Sequence, residues 1–363
     1  MKKKKIPVYQ PNFFGNEVKY VNECLDSSWI SSKGRFVSQF ENDFAEYVNV
    51  KKATTVCNGT VALHLALETL GIGAGDEVIV PTLTYIASVN AIAMVGAIPV
   101  FVDSLEDTWN IDYSQIIKKI TPKTKAVMVV HLYGLPCEMK EIVQICKENN
   151  LLLIEDAAEA FGSKYDDRHA GTFGNIATFS FFGNKTITTG EGGMVVSNDS
   201  DVIQRAAHLK SQAVSDTREY WHNELGYNYR MTNICAAIGL AQLEKADLVI
   251  EKKRDIANWY KEELKGLPIF FQYEANEIYN SYWMVSVLFQ DELTRNKVRT
   301  ALKNDGIETR PLFYPAHTMP KFKTNEIFPI AESLSKRGIN LPSYPELSME
   351  DVVRICMEIK KAI

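Results

Sequence analysis

The chain has little of what announces a metal site, a membrane or a nucleic-acid partner. Its six cysteines, Cys24, Cys57, Cys137, Cys146, Cys235 and Cys356, are scattered with no CxxC pair. Most sit in apolar contexts such as Thr54-Thr55-Val56-Cys57, which suits buried free thiols in a reducing compartment better than a disulfide framework or a zinc site. The six histidines are equally dispersed, so no metal is expected. No apolar run reaches the length of a membrane span. The basic run Lys2 to Lys5 is short and lacks the apolar stretch a signal peptide needs. A net charge of −5 with no basic tail argues against nucleic acid or an anionic membrane as the main partner. There is no internal repeat and no low-complexity linker. A soluble cytoplasmic protein is the expectation.

What is present is an ordinary globular composition, 46% hydrophobic and 23% charged over 363 residues, enough for one large domain or a large plus a small one. After a helix-like segment near Glu17 to Asp26 comes a polar loop, Ser28 to Gly34. Phe36, Phe40 and Phe44 then recur every four residues, which predicts a helix whose aromatic stripe packs. From Lys52 onward short apolar strands alternate with helices. The predicted strands are 53–57, 77–81, 98–103, 125–131 and 151–156. The predicted helices are 61–70, 86–95, 111–120 and 137–149. Strands apolar throughout and separated by helices imply an α/β fold, a mainly parallel sheet covered on both faces. Ligands of such sheets bind at the carboxyl ends of the strands. A helical pattern over 202–210 is followed by a long one from about Asn233 to Leu264, read as a connector. Past Gly266-Leu267-Pro268 the pattern resets to strands at 269–271 and 283–288, a helix over 292–304, an extended segment 307–313 and a final helix capped by Ser348. That is a smaller α+β unit.

Four places at the predicted ligand edge carry chemistry. Lys185 sits between the apolar run Phe179-Ser180-Phe181-Phe182 and a Gly190-Glu191-Gly192-Gly193 turn leading into another strand. A lysine held in a dry pocket loses proton affinity and becomes a usable amine; an ordinary surface-loop lysine is the alternative. Asn58-Gly59-Thr60 joins a strand to a helix, where free N–H groups attract an anion or where a plain helix cap suffices. Asp156 ends an apolar strand, placed to pair with a pyridine nitrogen or simply to cap a helix, and Glu159 follows it. Tyr85 can stack on a planar ring or pack in the core. Taken together, these supply a phosphate grip, a stacking face, a pyridinium partner and an amine, the four requirements of pyridoxal phosphate.

The motifs Trp29 to Gly34, Cys57 to Thr60, Val80 to Ser88, Glu155 to Gly162, Ser180 to Met194 and Gly226 to Met231 resemble those of the DegT/DnrJ/EryC1/StrS sugar aminotransferases over essentially the whole chain. Cys57 departs from the serine common in that family, at a position where the backbone does the binding. The resemblance implies the aspartate aminotransferase type I fold of pyridoxal phosphate-dependent transferases. In that fold a large domain (1–240) is built on a mainly parallel seven-stranded sheet, followed by a small C-terminal α+β domain (241–363) on which the N-terminal segment packs. It implies that Lys185 bonds the cofactor aldehyde and shuttles protons, with pyridoxamine phosphate formed midway. Asp156 pairs with ring N1, Glu159 with the ring hydroxyl, and Tyr85 stacks. Gly59, Thr60 and Ser180 hold the phosphate. Asn228 reaches the phosphate of a neighbouring subunit, hence a homodimer with shared sites, or dimers paired into a tetramer. Trp29, Ser31, Arg230, Tyr314 and His317 are candidates for substrate contact. Within the family, His131 to Gly134, Phe181 to Met194 and Tyr314 to Pro320 are most similar to the enzymes that make GDP-perosamine. That implies L-glutamate as donor and GDP-4-keto-6-deoxy-D-mannose as acceptor, for O-antigen or capsule synthesis. Rival readings are another keto sugar or a small phosphorylated ketone as acceptor, a cofactor-binding regulator, and a sugar dehydratase. The dehydratases carry histidine where Lys185 stands.

Overall fold

The structure, a computed structural model, describes residues 4–363; Lys2 and Lys3 of the basic run lie outside the described residues. Two helices open it, α1 (Glu17–Asp26) and α2 (Arg35–Val48). The Phe36, Phe40 and Phe44 stripe of α2 is fully buried against Phe161, Phe179 and Phe181, a packing role as the spacing predicts. The large sheet follows, with strands β1 (Lys52–Val56), β2 (Glu77–Pro81), β3 (Ile98–Val102), β4 (Thr124–Val130), β5 (Leu152–Asp156), β6 (Ile176–Ser180) and β7 (Gly193–Ser197). Their order is β1-β7-β6-β5-β4-β2-β3, seven strands with only β7 antiparallel to its neighbours. β7 runs backwards because the Lys185 segment is a direct return from β6, too short for a crossover helix.

The crossovers are α3 (Gly59–Thr69), α4 (Ala87–Met94), α5 (Tyr113–Lys119), α6 (Met139–Glu148) and, beyond β7, α7 (Ser200–Leu209). α3 is apolar on nearly every side and buried from Ala62 to Leu67, because it packs between the sheet and α4 and α7. α5 and α6, on the other face, show the amphipathic pattern of helices with a wet side. With strands capped on both faces, the carboxyl ends of β2, β4, β5 and β6 open at one edge.

The long helix predicted over Asn233 to Leu264 is two, α8 (Asn233–Leu243) and α9 (Ala246–Glu263). The break falls where the composition changes. α8 is small and apolar all round and inserts against α1 and α2, whereas α9 has one polar face and continues along the surface. Beyond it lies a four-stranded antiparallel sheet of β8 (Phe270–Phe271), β9 (Val285–Leu288), β10 (Arg310–Pro311) and β11 (Gly338–Leu341), in the order β8-β9-β11-β10. It is covered by α10 (Glu292–Asn304), α11 (Pro329–Arg337) and α12 (Met349–Ala362). Ser348 Oγ accepts from Asp351 N at 3.2 Å and caps α12. The chain's start joins this sheet's core: Ile6 bridges Ile307 and packs with Val285, Ile339 and Ile355. Among the described residues no helix is long and apolar enough to cross a membrane.

Candidate active site

The edge where β4, β5 and β6 end is hollowed into a cavity of about 480 Å³. At one side is the start of α3. Asn58 Oδ1 caps the helix by accepting from Val61 N at 3.0 Å, which leaves the N–H groups of Gly59 and Thr60 without partners inside the helix. A Cβ on Gly59 would stand 2.8 Å from Ser180 Cβ and 3.0 Å from its Oγ. Only glycine lets the helix start close onto the end of β6, and this brings the Ser180 hydroxyl to the same corner. Two free N–H groups, a hydroxyl and the positive end of α3 make an anion cradle.

Asp156, the last residue of β5, is buried deeper in the cavity. Its Oδ2 accepts from Ser88 Oγ at 2.7 Å and its Oδ1 from Ala158 N at 3.1 Å, and Ser88 in turn meets Thr84 Oγ1 at 3.0 Å. Burial pushes the carboxyl upward; Ser88, Ala158 N–H and the charge of Lys185 pull it back. Glu159 is also buried, one turn on, and Oε2 accepts from Tyr133 N at 2.8 Å. Burial raises its pKa too, against the opposing charge of Lys185.

Lys185 projects from the β6–β7 connection into the same cavity. Its N–H donates to Phe182 O at 2.9 Å, which folds the loop back on itself. Nζ lies 3.9 Å from the centroid of the Trp283 indole. Burial lowers the proton affinity of the amine, while Glu159 and then Asp156 hold it up. Tyr85 is 56% exposed on the cavity wall, its ring 5.6 Å from that of Phe313. Phe313 and Trp283 stack on Tyr133 at centroid distances of 5.1 and 6.2 Å, which closes the far wall with aromatic surface.

Thus Gly59, Thr60, Tyr85, Asp156, Glu159, Ser180 and Lys185 share one cavity. The other sequence candidates are not on its wall. Asn228 is exposed and accepts from Arg230 Nη2 at 3.2 Å. Trp29 and Ser31 are exposed on the loop before α2, their carbonyls taken by Asn233. Tyr314 points to solvent beside Phe313. His317 is 4% exposed, with Nδ1 2.7 Å from Thr82 Oγ1 and Nε2 3.5 Å from Glu332, so both ring nitrogens are engaged inside the fold. Sequence reasoning missed Ser88, Tyr133, Trp283 and Phe313. Ser88 is one helical turn after Tyr85, a spacing that could have shown it. Tyr133 acts on Glu159 through its backbone, and Trp283 and Phe313 come from the distant C-terminal sheet, so none of the three leaves a local signal.

Comparison with known proteins gives the family. The model of the DegT/DnrJ/EryC1/StrS aminotransferase family matches residues 13–360. The chain belongs to that family. It is 59% identical to the GDP-perosamine synthase of Escherichia coli O157:H7, over 99% of this chain and 98% of the relative. It is 52% identical to the GDP-perosamine synthase of Vibrio cholerae, over 98% of each. Among solved structures, the aminotransferase TlmJ from Streptoalloteichus hindustanus superposes with a TM-score of 0.95 at 30% identity, covering 99% of both chains. The chain is therefore an aminotransferase of a pyridoxal phosphate-dependent family. The residues present fit that cofactor. The Gly59 corner that a Cβ would fill is an anion cradle, the buried Asp156 offers a carboxylate to a ring nitrogen, and Lys185 offers a primary amine in the same cavity.

Proposed function

We propose that the chain moves the amino group of L-glutamate to the ketone of GDP-4-keto-6-deoxy-D-mannose, giving GDP-perosamine for a surface polysaccharide such as an O-antigen or capsule. The observation that carries the acceptor is full-length identity of 59% and 52% to two relatives that both bear the name GDP-perosamine synthase. Lysine at 185 supports amination over dehydration.

Pyridoxal phosphate, when bound, supplies an aldehyde to carry the amino group and a ring to take up the electron pair left at Cα. Lys185 would hold that aldehyde and, once the donor displaces its amine, move the proton off Cα of glutamate. Burial suits it to that work, because an amine with lowered proton affinity is partly free to act as a base. Asp156 would keep a proton on the ring nitrogen, with Ser88 and Ala158 N–H fixing its two oxygens. Glu159 would face the ring hydroxyl and Tyr85 the ring itself. Gly59, Thr60 and Ser180 would grip the phosphate. Tyr133, Phe313 and Trp283 keep water from the far wall. Asn228 is exposed and off this chain's cavity, and would reach the phosphate held by a neighbouring copy, which makes the working unit a homodimer in the cytoplasm. Trp29, Ser31, Arg230 and Tyr314 would meet the acceptor from the exposed rim. His317 would act only through the 312–320 loop that it pins to Thr82.

The test offers glutamate with GDP-, UDP- and dTDP-linked 4-keto-6-deoxy sugars and small keto phosphates, with mass spectrometry reading amine gain. Amination of the GDP-mannose derivative is expected, and of it foremost. If no GDP-sugar gains an amine the acceptor is wrong. If Lys185→Ala still turns over many equivalents of glutamate, the role of Lys185 is wrong.

A further inference from the structure

The loop that carries Lys185 is held from outside the large sheet at two consecutive carbonyls. Trp283 Nε1, just before β9, donates to Asn184 O at 2.7 Å. Tyr9 OH, from the N-terminal segment, donates to the carbonyl of Lys185 itself. Tyr9 and Trp283 are more than two hundred residues apart in sequence, yet they fix neighbouring peptide units. Neither bond follows from the β6–β7 turn, whose own hydrogen bonds run from Lys185 N to Phe182 O and from Thr189 N to Phe181 O. A carbonyl fixed in this way fixes the Cα that follows or precedes it, and therefore where the lysine side chain starts. Trp283 also acts at the other end of that side chain. Nζ stands 3.9 Å from its ring centroid, within cation–π reach and on the face of the indole, the most attractive aromatic face for an ammonium. The indole cannot tilt freely, because its N–H is bonded to Asn184 and its ring stacks on Tyr133 at an interplanar angle of 10°.

We propose that Tyr9 and Trp283 are positioning residues for Lys185: Tyr9 and the Trp283 N–H clamp its backbone, and the Trp283 face is the seat its ammonium occupies once the released amine has taken up a proton. The inference rests on Lys185 being the lysine that bonds the cofactor. The seat answers a specific need. During each half-reaction the amine is set free, bears a proton and must return to the same place. A free ammonium among Asp156 and Glu159 would otherwise settle onto a carboxylate that has another task. The indole offers attraction without a competing hydrogen-bond acceptor, so the amine is held and remains ready to leave.

The experiment uses full-length cofactor-free protein, prepared by resolution with hydroxylamine. Lysines are labelled competitively with fluorodinitrobenzene across pH 6 to 11, with peptide mass spectrometry giving a separate titration curve for Lys185. Buried Lys210, which donates to Glu41 and to Thr55 O and does not line the Lys185 cavity, is the internal control. Trp283→Leu removes the face and the N–H; Trp283→Phe removes the N–H and keeps a smaller aromatic face. In Trp283→Leu the midpoint for Lys185 is expected to fall by about one pH unit, the size of a desolvated cation–π contact. Trp283→Phe is expected to stay nearer wild type, and Lys210 to remain unchanged in both. Tyr9→Phe is expected to leave the midpoint alone, to speed amide exchange across 183–189, and to lower kcat about tenfold with the KM for glutamate unchanged. An unchanged or rising Lys185 midpoint in Trp283→Leu overturns the seat, and a shift of Lys210 alongside Lys185 reduces it to general loosening. Unaltered exchange in Tyr9→Phe overturns the clamp. A separate control, borohydride reduction of wild-type holoenzyme followed by peptide mapping, checks the underlying assignment. A pyridoxyl group on any lysine but Lys185 rejects that assignment, whatever the titrations give.

Discussion

Lys253 offers the sharpest measurement of what burial costs in this fold. It lies in α9 with no exposed surface, and its Nζ has one hydrogen-bond acceptor, the carbonyl of Ser343, with the Tyr9 ring 5.5 Å away. Burial alone pushes the amine down from 10.5 to about 7, with no carboxylate contributing. At 1.36 kcal/mol per pKa unit, that gap corresponds to about 5 kcal/mol. The sign follows from proton counting. The unfolded chain binds a proton at this site below about 10.5, the folded chain only below about 7. Between those values the unfolded state holds more protons, so stability rises with pH; the full cost is present at and below about pH 7 and is gone near pH 10.5. Lys253→Met fills the same volume without a charge but leaves Ser343 O unpaired, which costs about 1 to 3 kcal/mol. The variant should therefore be more stable than wild type by about 2 to 4 kcal/mol at pH 7, by this balance. Its advantage should shrink as pH rises and reverse to a deficit near pH 10, where wild-type Lys253 is neutral in the fold and still hydrogen-bonded. Equilibrium urea unfolding of both proteins at pH 6 to 10 reads the difference directly, since contributions from all other groups cancel. A difference that stays constant over that range, or a variant less stable at pH 7, would refute the reasoning.

Two further outcomes follow from the cavity. Ser88→Ala removes the 2.7 Å donor that holds the buried Asp156 carboxyl down, so that carboxyl should rise and the acid limb of kcat against pH should move up by about one unit; an unmoved limb would show that Asp156 does not depend on Ser88. Gly59→Ala places a Cβ 2.8 Å from Ser180 Cβ, forcing the α3 start and β6 apart. Equilibrium dialysis should show cofactor affinity reduced about tenfold or more, from an overpacking cost of about 1 to 3 kcal/mol, and an unchanged affinity would mean that the corner yields without cost.

The strand-end residues that share the cavity were legible because sheet periodicity places them. Asp156, Ser180 and Gly59 each stand at a strand end or the first turn of the next helix, and continuous apolar runs ending in one polar residue mark such positions without any tertiary knowledge. The same logic fixed β1 to β5 within a residue or so. It failed over Asn233 to Leu264 because helix propensity persists through Glu244 and Lys245, whereas packing does not: α8 needs small residues on every face and α9 only on one. His317 misled for a related reason. A histidine in a loop pattern reads as available, but the pattern does not show that Thr82 and Glu332 engage both of its nitrogens.

The residues that hold Lys185 escape sequence reading for a deeper reason. Tyr9 and Trp283 act on carbonyl oxygens, which every residue has, so nothing at Asn184 or Lys185 signals that a partner is coming. Their contribution exists only once the N-terminal segment and the C-terminal sheet have closed over the large one, with Ile6 paired to Ile307 and Trp283 stacked on Tyr133. The candidate amine can thus be picked out from a local motif, while its position depends on segments that meet only in the completed fold. The same Trp283 that bonds Asn184 O also stacks on Tyr133 in the far wall, so the position of the Lys185 loop and the closure of that wall depend on one side chain.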